Sequence, residues 1–124
     1  MSIGIVVPTE LEGNQLIEIL TQKEQKSIQG KFFYSGFIRN RLIVITICGV
    51  GKANSAHATG LLIHLFNPQV LINVGVAGAY PSTGLNVGDV VVATSERYID
   101  EGLQTRNGIF ISMRDLGIRL TLHE

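Results

Sequence analysis

With 124 residues, of which 45% are hydrophobic and 16% charged, the chain has the composition of one globular domain rather than of a disordered segment. A domain of this size buries roughly two thirds of the surface that its unfolded chain exposes. The formal net charge is zero and no basic stripe interleaved with aromatics occurs, which argues against a nucleic-acid partner.

No run approaches the ~18 apolar residues that would argue for a membrane span. Met1-Ser2 leads straight into an apolar run, without the basic segment of a signal peptide. No membrane partner is therefore expected, and a cytoplasmic setting is the default. The single cysteine, Cys48, cannot form an internal disulfide, fits a reducing compartment and reads as a small buried core residue.

Ile3-Gly-Ile-Val-Val is a continuous β-branched run, the pattern of a strand covered on both faces. Pro8-Thr9 stops it. Thr9 can N-cap a helix, with Glu12 at the capping-box position. Leu11, Leu16, Ile17, Ile19 and Leu20 supply that helix with an apolar face. Residues 31–38 and 42–47 read as two strands of a hairpin around Arg39-Asn40-Arg41. Gly49 and Gly51 form a turn into a helix over 52–66. Ala53, Ala56, Ala58 and Gly60 are small enough to let that helix approach a sheet closely, and Pro68 ends it. Residues 70–74 and 90–93 read as further strands, 101–108 as a polar loop, and 109–124 shows no clear period. Strands alternating with helices argue for one α/β domain spanning 1–124 with a largely parallel sheet.

Two Gly-rich turns have candidate chemistry. Gly49-Val-Gly-Lys-Ala-Asn is neither a dinucleotide fingerprint, since Asn54 stands where the third Gly would be, nor a Walker A loop, since Ala53 follows Lys52. Spacing alone makes it a tight strand-to-helix turn. Gly75-Val-Ala-Gly-Ala follows a buried strand at its C-terminal end, where ligands of open α/β sheets bind. Its small residues leave backbone free to meet a flat ring.

Of the carboxylates, Glu10 and Glu12 are two apart and do not share a helix face, so they form no catalytic pair. By position alone they are helix-start charges that suit the macrodipole. Asp100 and Glu101 read as solvated loop charge. His57 and His64 share a helix face, but at a spacing of seven rather than the three or four usual for metal pairs. With His123 near the terminus, no metal site is expected.

Taken together, Gly49-Val-Gly-Lys-Ala-Asn-Ser-Ala, Asn73-Val-Gly-Val-Ala-Gly-Ala-Tyr-Pro and Gly88-Asp-Val-Val-Val-Ala-Thr resemble the purine-nucleoside phosphorylase and nucleosidase superfamily. The likeness runs from Met1 to about Thr105. Asp100-Glu101-Gly102, Pro8-Thr9 and the run from Val74 to Pro81 resemble its futalosine hydrolase branch. The methylthioadenosine/S-adenosylhomocysteine nucleosidase branch is the alternative, and a non-catalytic nucleoside-binding or subunit-pairing remnant is a third reading. The resemblance implies a three-layer phosphorylase/hydrolase-like fold with a mostly parallel mixed sheet. It also implies that this chain corresponds to the N-terminal half of the family domain and is incomplete at its C-terminus.

The same resemblance implies that Glu12 holds the attacking water, and that Pro8, Thr9, Gly51, Val76, Ala77 and Gly78 line a purine-nucleoside site. No cofactor is implied, and a homo-oligomer, a dimer or higher, is. Phosphorylases of the superfamily carry a Gly and an Arg after the first strand and a phosphate-binding Ser in the later turn. Here no Arg precedes Arg39, and Val76 has no hydroxyl. Water is therefore the expected nucleophile. The family's purine-protonating acid and ribose-binding Glu have no counterpart here, and Asp115 is not in a matching context. The chain alone is expected to be nearly inactive.

Overall fold

In the computed structural model, residues 1–96 and 98–118 are described. They fall into two compact units, Met1–Ala79 and Tyr80–Glu124. His123 and the end of the 109–124 stretch lie outside the described residues.

The first unit is a five-stranded sheet in the order β2-β3-β4-β1-β5, with β1 Ser2–Val7, β2 Thr21–Ile28, β3 Lys31–Ile38, β4 Arg41–Ile47 and β5 Val70–Asn73. Strands β4 and β5 both run parallel to β1. Strands β2, β3 and β4 form an antiparallel meander. The sheet is thus mixed, with its parallel part centred on β1.

Helix α1 (Glu10–Glu18) and helix α2 (Lys52–Phe66) pack on opposite faces. The period-2 alternation of a strand sorts the side chains. Ile5, Val7, Ile43 and Ile45 point to Ile17 and Leu20 beside α1. Val6, Val44, Phe33 and Cys48 point to Ala58 and Leu62 of α2. Cys48 is a buried free thiol in that second cluster. Three layers result, and β1 is covered on both sides as its unbroken apolar run requires.

Some expectations need correcting. On α1, Ile17 is buried and Leu16 partly so, and Leu20 just beyond the helix is buried, but Leu11 is 92% exposed and Ile19 also faces outward. Of the small residues of α2, Ala58 alone is buried; Ala53, Ala56 and Gly60 are exposed. The close approach of α2 is made at one position.

Strand β2 has no signal in the sequence. Its sequence, Thr-Gln-Lys-Glu-Gln-Lys-Ser-Ile, has no apolar alternation, and seven of its eight residues are exposed. It exists because β3 offers a ladder and the two-residue turn Gln29-Gly30, with φ of 52° and 74°, reverses the chain. A charged edge strand of this kind resists further pairing. The foreseen hairpin turn is Arg39-Asn40, at φ 46° and 62°, and β4 starts at Arg41.

The second unit contains a 3-10 turn, Pro81–Thr83, and a hairpin of β6 Gly102–Gln104 with β7 Phe110–Ser112. The polar loop expected over 101–108 therefore contains a strand. The strand expected over 90–93 is absent: Val90, Val91 and Val92 are 90%, 65% and 85% exposed and unpaired in any sheet. Valine propensity favours a pleated surface, but a strand requires a ladder partner.

On the α2 side of β4, Thr46 is fully buried and its hydroxyl has no hydrogen-bond partner among the described residues. A buried unpaired polar group costs about 1–3 kcal/mol. Thr46→Val, which keeps the shape and removes the oxygen, is expected to raise unfolding stability in urea by about 1 kcal/mol or more. A loss of stability would show that the hydroxyl is bonded in solution.

Candidate active site

Three loops leave the C-terminal ends of the adjacent parallel strands β4, β1 and β5. The chain runs from β1 to β4 on one side, then crosses by α2 to β5 on the other. Strand order therefore reverses at β1, the place where open α/β sheets bind ligands.

Backbone bonds hold the three loops to β1. Cys48 N–H donates to Val7 O at 2.8 Å, Gly49 N–H to Pro8 O at 3.0 Å, and Val74 N–H to Val6 O at 3.0 Å. Pro8 therefore ends β1 while its carbonyl anchors the turn after β4.

Thr9 is the N-cap of α1, in extended backbone at φ −135°, and its hydroxyl accepts from Glu12 N–H at 3.4 Å. This is the start of a capping box. The Glu12 carboxylate, however, reaches further than its own helix. Its Oε2 accepts the Thr9 hydroxyl at 2.5 Å, and its Oε1 accepts the Val76 N–H at 2.8 Å. The Thr9 hydroxyl, followed by the Val76 amide, holds the Glu12 carboxyl below the usual carboxylate range. Donors to the charged form favour it. Glu12 is half-buried and ionised at neutral pH.

The turn after β5 approaches Glu12 closely at Gly75. A Cβ there would lie 3.0 Å from Glu12 Oε1 and 3.3 Å from Pro8 Cγ. Beyond it, Val76, Ala77 and Gly78 are exposed, and a Cβ at Gly78 would meet nothing within 4 Å. Val76 turns its amide to Glu12 and leaves its isopropyl group 85% exposed.

The turn after β4 is braced separately. Gly51 caps α2 at φ +101°, a conformation that favours glycine. Asn54 Nδ2 donates to Val50 O at 2.8 Å, while Lys31 Nζ donates to Cys48 O and, at 3.1 Å, to Asn54 Oδ1. Lys31 has no sequence signal for this role, because the contact joins β3 to a loop 17 residues on.

Pro8 and Thr9 before α1, Glu12 in its first turn, and Val76, Ala77 and Gly78 after β5 thus lie at one end of the sheet, joined through Glu12. Gly51 lies on the third loop, the one tied to Pro8. Asp100 and Glu101 belong to the second unit, where Glu101 O accepts from Met113 N–H at the mouth of the hairpin. His57 and His64 are exposed on α2. Among the described residues, no group of three or more His, Cys, Asp and Glu could hold a metal ion. A shallow depression lined by Thr21, Gln22, Phe37 and Asn40 lies at the other end of the sheet and contains no carboxylate.

Gly75→Ala puts a methyl group against Glu12 Oε1. It is expected to displace the carboxylate, lengthen the Val76 bond and move the Val76 amide proton upfield in an NMR correlation spectrum. An unchanged Val76 amide would show that the turn does not rest on Glu12.

Residues 2–115 match the profile of the Phosphorylase superfamily. The 5′-methylthioadenosine/S-adenosylhomocysteine nucleosidase of Staphylococcus carnosus is 44% identical over 98 residues, covering 79% of this chain and 42% of that protein. The corresponding nucleosidase of Colwellia psychrerythraea, solved in complex with adenine, is similar with a TM-score of 0.68 and 35% identity, over 72% of this chain and 36% of that one. A futalosine hydrolase mutant of Helicobacter pylori gives a TM-score of 0.58 and 26% identity, over 63% of this chain and 35% of that one. The chain spans about two fifths of the length of the curated relatives it matches. Both the profile match and the three-layer fold around β1 place it: the chain belongs to the Phosphorylase superfamily.

Proposed function

We propose that this chain carries the water-holding half of a hydrolase that cleaves the N-ribosidic bond of a purine nucleoside. The observation that carries the reading is the ionised Glu12 carboxylate, fixed at the C-terminal end of β1 and bonded to the Gly75-Val76 turn. In this reading Pro8, Gly51, Val76, Ala77 and Gly78 line the site, and the exposed small-residue turn meets the flat base.

Cleavage builds positive charge on the ribose and negative charge on the departing base. An anionic carboxylate on the ribose side stabilises the first and orients a water for attack, as one member of the pair does in inverting glycosidases. Glu12 suits orientation more than deep proton abstraction, because the donors that keep it ionised also lower its basicity. A phosphate nucleophile is disfavoured at the same place. It would face the Glu12 charge and the aliphatic Val76, with no hydroxyl from that residue to receive it.

The relatives' names favour methylthioadenosine or S-adenosylhomocysteine as substrate, since proteins so named match at 43–44% identity. The Asp100-Glu101-Gly102 segment and the similar futalosine hydrolase structure favour futalosine as the second reading. Either way we place the group that protonates the purine, and the one that grips the ribose hydroxyls, in the part of the family domain that this match does not span. A homo-oligomer, a single domain over 1–124 and a cytoplasmic setting complete the proposal. One superfamily profile running across both units supports the single domain. No helix among the described residues is long and apolar enough to cross a membrane.

The test is a chimera of these 124 residues with the remaining segment of the Staphylococcus carnosus nucleosidase. It is expected to release adenine from methylthioadenosine without stimulation by phosphate, while the 124-residue chain alone releases little. Glu12→Gln in the chimera should cost ~10²–10⁴ in turnover, the span usual for a general acid or base. A ribose-1-phosphate product, or near-parental turnover in Glu12→Gln, would overturn the reading.

A further inference from the structure

Thr9 serves two bonds through one oxygen. It accepts the Glu12 N–H at 3.4 Å and donates its hydroxyl hydrogen to Glu12 Oε2 at 2.5 Å. Only the first is needed to cap α1, since a cap works by accepting from the helix's free N–H groups. The second fixes a carboxylate oxygen. With Oε1 taken by the Val76 amide at 2.8 Å, the carboxylate is held at both oxygens, by donors from the loops after β1 and after β5.

A glutamate at a helix start has several rotamers open to it, and a group that orients water must hold one of them. The capping box adds a weaker bond from the Thr9 backbone N–H, which any residue at position 9 other than proline keeps, so the hydroxyl is the part of the restraint that belongs to the Thr9 side chain. We infer that Thr9 is a positioning residue for Glu12, its hydroxyl setting the carboxylate so that the remaining lone pairs face the site. This rests on the reading of Glu12 as the water-holding group. It also moves Thr9 from the ligand-lining set to a supporting one, because its one hydroxyl hydrogen is spent on Glu12.

The assignment separates from a plain capping role. Glycine is tolerated at an N-cap but has no hydroxyl to donate, whereas serine keeps both functions. The whole 124-residue chain, labelled with ¹³C at glutamate carboxyls, is titrated by NMR as parent, Thr9→Gly and Thr9→Ser. The Thr9 hydroxyl, the Val76 amide and the Thr9 backbone N–H lower the pKa of Glu12 against an opposing effect of burial, so the midpoint reports the donors. Thr9→Gly is expected to raise the Glu12 midpoint by about half a pH unit or more and to shift the Val76 amide. Thr9→Ser is expected to restore both.

An unchanged Glu12 midpoint in folded Thr9→Gly would reduce Thr9 to a cap and overturn the inference. If Thr9→Gly does not fold, the parent decides. A slowly exchanging Thr9 hydroxyl proton that disappears as Glu12 is protonated supports the assignment, and its absence at neutral pH overturns it. The titration uses no substrate, so its result is independent of whether the chimera hydrolyses nucleosides.

Discussion

The bond from the Val76 amide to the Glu12 carboxylate joins segments 64 residues apart, and the arrangement of the site depends on it. Everything beneath it sets its length. Strand β1 lies between β4 and β5, so the loops after all three strands leave from neighbouring points. Pro8 ends β1, Thr9 turns the chain into α1, and Glu12 follows one turn on, facing the loop after β5. Gly75, with no side chain, leaves the Glu12 carboxylate undisplaced where a Cβ would stand 3.0 Å from its Oε1. A single carboxylate thereby serves as helix-start charge, loop tether and candidate water ligand.

These roles are compatible because a carboxylate has about four acceptor positions. The Thr9 hydroxyl occupies one on Oε2 and the Val76 amide one on Oε1, and the Thr9 backbone N–H takes a further one. Capacity remains for a water on the open side. These donors stabilise the anion, which matches the need for negative charge opposite a developing oxocarbenium ion. Since the folded-state acidity of Glu12 is increased, the tether contributes fully above the ordinary glutamate pKa and is lost as pH falls through the lowered value. At neutral pH it is intact.

Much of this was legible in the residues. The unbroken run of β1, the Pro8-Thr9 stop and Thr9 with Glu12 three positions on announce strand, cap and acid by local rules alone. The Arg39-Asn40 turn and the ends of α2 follow from equally local signals. What local rules missed were contacts across the fold. Strand β2 has no apolar alternation and is a strand only because β3 lies beside it. Residues 90–93 have strand composition but no ladder. Lys31 braces the turn after β4 through a contact that no motif encodes. Gly75 is one small residue among several in the sequence, and its proximity to Glu12 exists only in three dimensions. Superfamily membership was readable from the Gly-rich turns. The branch was not, since futalosine hydrolase stood first on a few residues while the curated relatives carry the methylthioadenosine nucleosidase name.

The central claim is that the end of the sheet around Glu12 is where a purine nucleoside binds. Titrating the chain with methylthioadenosine at millimolar concentration, while following backbone amides by NMR, tests it directly. The account predicts saturable shifts concentrated at Thr9, Glu12, Gly75, Val76, Ala77 and Gly78, and their loss when the Gly75-Val76 turn is displaced. Shifts confined to Thr21, Gln22, Phe37 and Asn40 at the far end of the sheet, or spread without saturation, would contradict it.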